Sequence, residues 1–418
     1  MNGRNMTGQP ASTERTPQAS AKTHPYPAWS PRFWHGMRFG DWMRLLVENR
    51  FRVHPYRWAM VVLISLITPF NTLMSRFQRL CFGHRIDATP IQPPLFIVGH
   101  WRSGTTFLHE LLVLDERFTF PTTYQCFAPE HFLLTEWFLA RYCGFLLPKQ
   151  RPMDNVRTGW QRPQEDEFAL LTMGVRTPYR RMAFPNHPAP DLEYLNMEGI
   201  PAPELEKWCR AMRTFVQTLT YRSAKRVILK SPTHTGRIAL LSELFPGAQF
   251  IHITRDPYAL FPSTQRLWKS LDAAQGCQVP RHQQLDQYVY DALLRMYDGF
   301  TKQRAQLDPA QIVDIRYEDL VADPLSVVEE IYRKLSLGDF ARVRGALEAY
   351  LHREKSYQTN RHELTPEVRA EIRRRWHHYF EQYGYDTAAA DRAQGNAAAM
   401  GCPERSQGGS LGARSRRA

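Results

Sequence analysis

The chain has 418 residues, 43% of them hydrophobic, enough for a sizeable core in one large α/β domain with appendages or in two domains. Lysine and arginine (54) exceed aspartate and glutamate (41), so the net charge of +13 favours anionic partners: nucleic acid, anionic lipid or a phosphorylated ligand. The six cysteines are scattered without a C-x-x-C pair, which argues against a zinc cluster or a disulfide framework and for a reducing compartment.

Residues 1–30 are polar and lack the apolar core of a secretory signal, and read as a disordered segment. Residues 31–89 read as a helical extension, with a helical pattern over Phe39–Arg79. Its apolar centre, Trp58–Phe70, is flanked by Arg50, Arg52 and Arg57 before it and by Arg76 and Arg79 after it. That centre is short for a membrane span, which needs about 20 apolar residues, and Pro69 interrupts it. A buried core helix and an interfacial, membrane-peripheral helix with basic flanks are the two leading readings. The chain is expected in the cytoplasm, with membrane association if the second reading holds.

Residues 90–385 carry the main domain. Apolar runs predict strands at Leu95–His100, Arg226–Leu229, Gln249–Thr254 and Gln311–Arg316. Helical patterns separate them at Gly236–Leu244, Ala259–Ser270, Leu285–Gln306 and Pro324–Leu335. Alternation of this kind predicts a central parallel sheet flanked by helices in three layers, a P-loop-like α/β fold. Each strand ends on polar or charged residues, at the edge where open α/β sheets bind ligands. Residues 386–418 read as a disordered basic tail.

The densest motif follows the first strand, Gly99-His100-Trp101-Arg102-Ser103-Gly104-Thr105-Thr106. Gly99 and Gly104 have the G-x-x-x-x-G spacing of a phosphate loop, and a helix start follows. Free N–H groups and the positive end of that helix would face an anion. Thr105 and Thr106 add hydroxyls, and Arg102 adds a planar two-pronged cation. Thr105 stands where a nucleoside-triphosphate loop carries lysine. No carboxylate suited to magnesium closes a strand apart from Asp256, whose neighbour Arg255 is an anion binder, so no metal is expected.

These motifs resemble, in order, those of the sulfotransferases that use 3′-phosphoadenosine 5′-phosphosulfate (PAPS), most closely a broad bacterial family also similar to tyrosylprotein sulfotransferases. The resemblance covers roughly residues 90–385. It implies that Arg102, Ser103, Gly104, Thr105 and Thr106 bind the 5′-phosphosulfate. It implies that Arg255 and Ser263, eight residues on, hold the 3′-phosphate, and that Tyr317 contacts the cofactor. Lys230 matches a lysine that stabilises the transferring sulfuryl group, and Lys355–His362 is the candidate for a loop over the nucleotide.

The pattern departs at the base. The related enzymes place a glutamate about twenty residues past the loop, and this chain has Thr122 and Thr123 there. Three candidates remain for proton transfer: Glu165 and Glu167 in the acidic run Gln164–Phe168, and His234 four residues past Lys230. The same acids also suit plain helix capping. The expected activity is sulfuryl transfer from PAPS to a hydroxyl or amine of a small-molecule, lipid or glycan acceptor. A PAPS-binding protein without catalysis and a degenerate P-loop kinase are the alternatives, and no nucleic-acid recognition motif is present. Phe127, Phe132, Trp137 and Phe138 read either as acceptor-pocket lining or as core.

Overall fold

A computed structural model describes residues 26–27, 29–148, 158–353 and 364–385. Lys355–His362 and the two terminal segments expected to be disordered, apart from a few residues near Pro27, lie outside those residues. Five strands form one parallel sheet: β1 (Leu95–Val98), β2 (Phe118–Thr119), β3 (Arg226–Lys230), β4 (Gln249–Thr254) and β5 (Ile312–Arg316). Their spatial order is β2-β3-β1-β4-β5. Four match the apolar runs of the sequence. β2 escapes sequence reading because it is two residues long.

Period-two alternation sorts the strand side chains onto two faces. Phe96 and Val98 of β1, Val227 and Leu229 of β3 and Phe250 of β4 join one apolar cluster. Leu95, Ile97, Ile228, Ile251 and Ile253 join the other. The first face is covered by the helices Ala202–Arg222, Pro257–Gln275 and Leu285–Arg304, the second by Thr105–Leu112, Pro324–Lys334 and Ala341–Arg353. The result is helix–sheet–helix in three layers. The N-terminal helices share the first cluster, into which they bury Trp34, Trp42, Leu45 and Leu46.

The helical pattern over Phe39–Arg79 is in fact two helices, Phe39–Glu48 and Trp58–Asp87. The break has a backbone cause: Arg50 and Phe51 take φ of 53° and 51°, and Pro55 opens a short 3-10 turn. Pro69 does not stop the second helix. Without an N–H it leaves the Ser65 carbonyl unpaired along the helix, and the Thr68 hydroxyl donates to that carbonyl at 3.4 Å.

Strand order decides where the polar ends meet. β1 lies between β3 and β4, with Ile97 opposite Lys230 and Val98 opposite His252. The chain leaves β1 towards β2 and β3 on one side and reaches β4 and β5 on the other. The loop after β1 therefore sits at a topological switch point, flanked by the ends of β3 and β4.

Candidate active site

The loop after β1 turns on strained or glycine-only backbone. Gly104 has φ of 103° and Arg102, without glycine's freedom, has φ of 71°. Such a non-glycine conformation costs of order 1 kcal/mol or more and is held by its surroundings. A methyl group at Gly104 would come within 2.2 Å of the Tyr317 ring, so that ring packs directly against the loop. The Arg255 guanidinium in turn lies over Tyr317, 4.2 Å from the ring centroid.

Three of the expected phosphate ligands form one cluster. Arg102 Nε donates to Ser263 Oγ at 2.9 Å, and Arg255 Nη1 donates to the Arg102 carbonyl at 2.8 Å. The Ser263-bearing helix starts at Pro257 with Asp256 as its cap, which accepts from the Tyr258 N–H. The Arg255 backbone is pinned from behind by Tyr379, which donates to its carbonyl and lies 3.2 Å from its N–H. Within the loop the Ser103 hydroxyl is fully buried and has no hydrogen-bond partner among the described residues. A buried, unsatisfied hydroxyl at a helix start beside two guanidinium groups fits an anionic ligand.

Lys230 ends β3 and its side chain is 2% exposed. Its Nζ lies 2.8 Å from Glu165 Oε1 and 3.5 Å from Thr106 Oγ1, so the ammonium stands between a carboxylate and the loop. The other oxygen of Glu165 accepts from the Tyr179 hydroxyl at 2.5 Å, and that hydroxyl accepts from Trp101 Nε1 at 2.9 Å. Tyr179 lies in no sequence motif, and Trp101 stands in the loop motif with no role of its own assigned there. Only the fold shows that they orient the carboxylate.

Glu165, Asp166 and Glu167 are consecutive, yet they part company at the start of the helix Asp166–Thr172. Asp166 and Glu167 are both fully buried. Asp166 accepts from Ser231 Oγ at 2.8 Å and pairs with His234 Nε2 at 2.5 Å. Glu167 is held by Arg237 through both oxygens, at 2.6 and 3.1 Å, and by Thr177 and Thr233. Burial alone would raise both carboxyl groups. The opposing charges of His234 and Arg237 and these hydrogen bonds win and hold both below the ordinary carboxylate range.

Of the three residues expected as the base, Glu167 has both oxygens engaged and His234 is fully buried against Asp166. The structure brings Arg102, Thr106, Ser263, Arg255, Tyr317, Lys230 and Glu165 to one strand edge and leaves Glu167 and His234 beneath it. Of the aromatic residues, Phe132 is core, Phe127 packs on Trp160, and Trp137 and Phe138 face outward.

A P-loop-like α/β fold whose strand ends gather cations beside a partly exposed carboxylate suits the transfer of an anionic group. The chain belongs to the sulfotransferase family: the model of that family matches residues 93–341. Omega-hydroxy-beta-dihydromenaquinone-9 sulfotransferases Stf3 of Mycobacterium bovis (strain ATCC BAA-935 / AF2122/97) and Mycobacterium tuberculosis (strain CDC 1551 / Oshkosh) are each 44% identical to it over 378 residues, 90% of this chain and 97% of theirs. Among solved structures, the sulfotransferase STF9 from Mycobacterium avium superposes with a TM-score of 0.60 at 16% identity, over 83% of this chain and 96% of that one. STF1 from Mycobacterium tuberculosis H37Rv gives 0.58 at 20% identity, over 81% and 91%. The protein is a sulfotransferase.

Proposed function

We propose that the sulfuryl donor is PAPS, that Glu165 is the base, and that the acceptor is the hydroxyl of a lipid-like molecule. PAPS, when bound, supplies an activated sulfuryl group and two phosphate positions. Arg255 and Ser263 suit the 3′-phosphate. Ser103, Thr105 and Thr106 suit the 5′ end, and Arg102, reaching Ser263 from the loop, ties the two positions together.

One observation carries the catalytic reading: Lys230 Nζ sits between Glu165 and Thr106, at 2.8 and 3.5 Å. A base and a cation thus flank the same point beside the loop. The Glu165 carboxylate receives the proton of the acceptor hydroxyl as its oxygen attacks. Lys230 offsets negative charge on the transferring group and on the leaving phosphate oxygen. Tyr179 holds the carboxylate in place by donating to its second oxygen. The reading without catalysis drew on the missing carboxylate near Thr122, and Glu165 supplies one from a different segment. The lipid-like acceptor is supported by the relatives, whose names state a hydroxylated menaquinone derivative as their substrate.

The test is transfer of labelled sulfate from PAPS to an omega-hydroxylated polyprenyl quinone in detergent micelles. Glu165→Gln is expected to lower kcat by about 10²–10⁴. The rise in Tm with adenosine 3′,5′-bisphosphate should survive in that variant. Full activity in Glu165→Gln would overturn the assignment of the base, and no transfer by the wild type would overturn the acceptor class.

A further inference from the structure

The helix Trp58–Asp87 buries Val61, Ile64 and Ile86 towards its ends, but its middle is amphipathic the wrong way round for a soluble protein. The stripe it turns to the body includes Thr68, Asn71, Ser75 and Gln78, all buried. The stripe it turns outward is Leu63, Leu66, Phe70, Leu73, Phe77 and Leu80, spaced three and four residues apart, with Leu66 72% and Leu80 82% exposed. The polar stripe is firmly bound. Asn71 donates to the Met37 carbonyl at 2.9 Å, Ser65 accepts from Trp42 Nε1 at 2.9 Å, Thr72 accepts from the Phe39 N–H and Gln78 from the Leu133 N–H. By length and composition alone this helix could cross a membrane. Crossing would tear those polar groups from their partners and strand them in hydrocarbon.

A second element extends the apolar surface. The helix Phe132–Tyr142 and the turn after it expose Trp137, Phe138, Tyr142 and Phe145. The two helices meet where the Leu133 N–H donates to Gln78 and the Phe70 ring stands edge-on to His131. Charge on this surface is one-sided. Residues 58–87 and 132–146 contain Arg76, Arg79, Arg85 and Arg141 against Asp87 and Glu136. Arg79 and Asp87 neutralise one another and Glu136 is turned inward, which leaves Arg76, Arg85 and Arg141. Aliphatic side chains, Trp and Tyr at the margin, and arginines round the rim make up the composition of an interfacial helix surface.

We infer that this two-helix face docks, lying flat, on an anionic lipid bilayer, and that it sets the acceptor entrance of the active site at the membrane surface. A short stretch of chain links the face to the site. Trp160 donates to the Cys143 carbonyl at the end of the Phe132–Tyr142 helix, and Glu165 follows Trp160 by at most about 18 Å of extended chain. The entrance role rests on the proposed lipid-like acceptor. The docking itself does not.

The test is co-sedimentation of the full chain with vesicles of phosphatidylcholine alone and with added phosphatidylglycerol. Binding is expected to the anionic vesicles, weaker at high salt but not abolished by it. Leu66→Ser with Phe70→Ser and Leu73→Ser should weaken it by at least about tenfold, since burial of each of these apolar side chains favours the bound state. Trp137→Ser with Phe145→Ser should weaken it independently. Both variants should keep the Tm rise with adenosine 3′,5′-bisphosphate, which shows that they fold. Absent vesicle binding, or binding that these substitutions leave intact, overturns the inference. A dimer in light scattering that the triple variant dissolves, without vesicle binding, overturns it by assigning the face to a second copy. Vesicle binding is read without any acceptor, so failure of the transfer assay and failure of docking are separate results.

Discussion

Two ionic networks lie back to back at the start of the Asp166–Thr172 helix. Below, Glu167, Arg237, Asp166, His234, Ser231 and Thr233 form a set with no exposure to solvent, in which each carboxylate has a basic partner. Above, Glu165, Lys230, Tyr179 and Thr106 form a set in which the Glu165 side chain keeps 15% of its surface open. Both draw on neighbouring positions of the same two segments, 165–167 and 230–237. Lys230 goes to the upper set and Ser231 to the lower. On the proposed assignment of Glu165, what separates the two is not charge density but a charged group whose partners leave one face for an incoming molecule.

The comparison breaks if the lower network also serves chemistry. Glu167→Gln removes one partner of a buried bidentate pair and should cost about 3–5 kcal/mol of stability, read by denaturant unfolding. Its kcat at a temperature where it is folded should stay near that of the wild type. A stable but inactive variant would place Glu167 in the reaction after all. Lys230→Met is the converse. It should lower kcat by about 10²–10³, the usual cost of removing one stabilising group for developing charge, while leaving a folded protein by circular dichroism. Arg255→Ala should weaken adenosine 3′,5′-bisphosphate binding by about 10- to 100-fold in calorimetry, in line with the 1.5–3 kcal/mol of a charged hydrogen bond.

The smallest effect is a shape in the pH profile. His100 is fully buried and burial holds its imidazole down to about 4, so the unfolded chain takes up that proton first and stability drains as pH falls below about 6.5. Asp166 and Glu167 are also held below their unfolded values. Their contribution is complete above about 4.5 and is lost as pH falls below it. Thermal melting from pH 8 to 3 should therefore decline gently, then steeply. In Glu167→Gln the steep acid limb should flatten while the gentle one remains.

Much of the cofactor side is legible in the sequence because it is local. A doubly buried strand, a glycine-framed turn and a helix start follow one another within Leu95–Leu112, and each has its own signature in pattern. The eight-residue step from Arg255 to Ser263 is likewise a strand end and a helix turn. Glu165 is different. Successive residues of a helix start point about 100° apart, so which of Glu165, Asp166 and Glu167 faces the strand edge depends on how that helix docks. Nothing within Gln164–Phe168 encodes the docking. Ser231 and Arg237, far off in the chain, and Thr177, just past the helix, decide it. Tyr179 and Tyr379 were invisible for the same reason.

By itself the sequence determined the sheet, its parallel sense and the loop that meets an anion, because strand burial, glycine geometry and helix starts are written in neighbouring residues. Tertiary structure alone decided which carboxylate stays reachable and which face of the Trp58–Asp87 helix turns outward. Hydropathy leaves a core and an interfacial placement of the helix open. The fold turns Leu66, Leu73 and Leu80 outward and buries Thr68, Asn71 and Gln78, because distant backbone and side-chain groups offer them hydrogen bonds, and a buried polar group goes where its partners are.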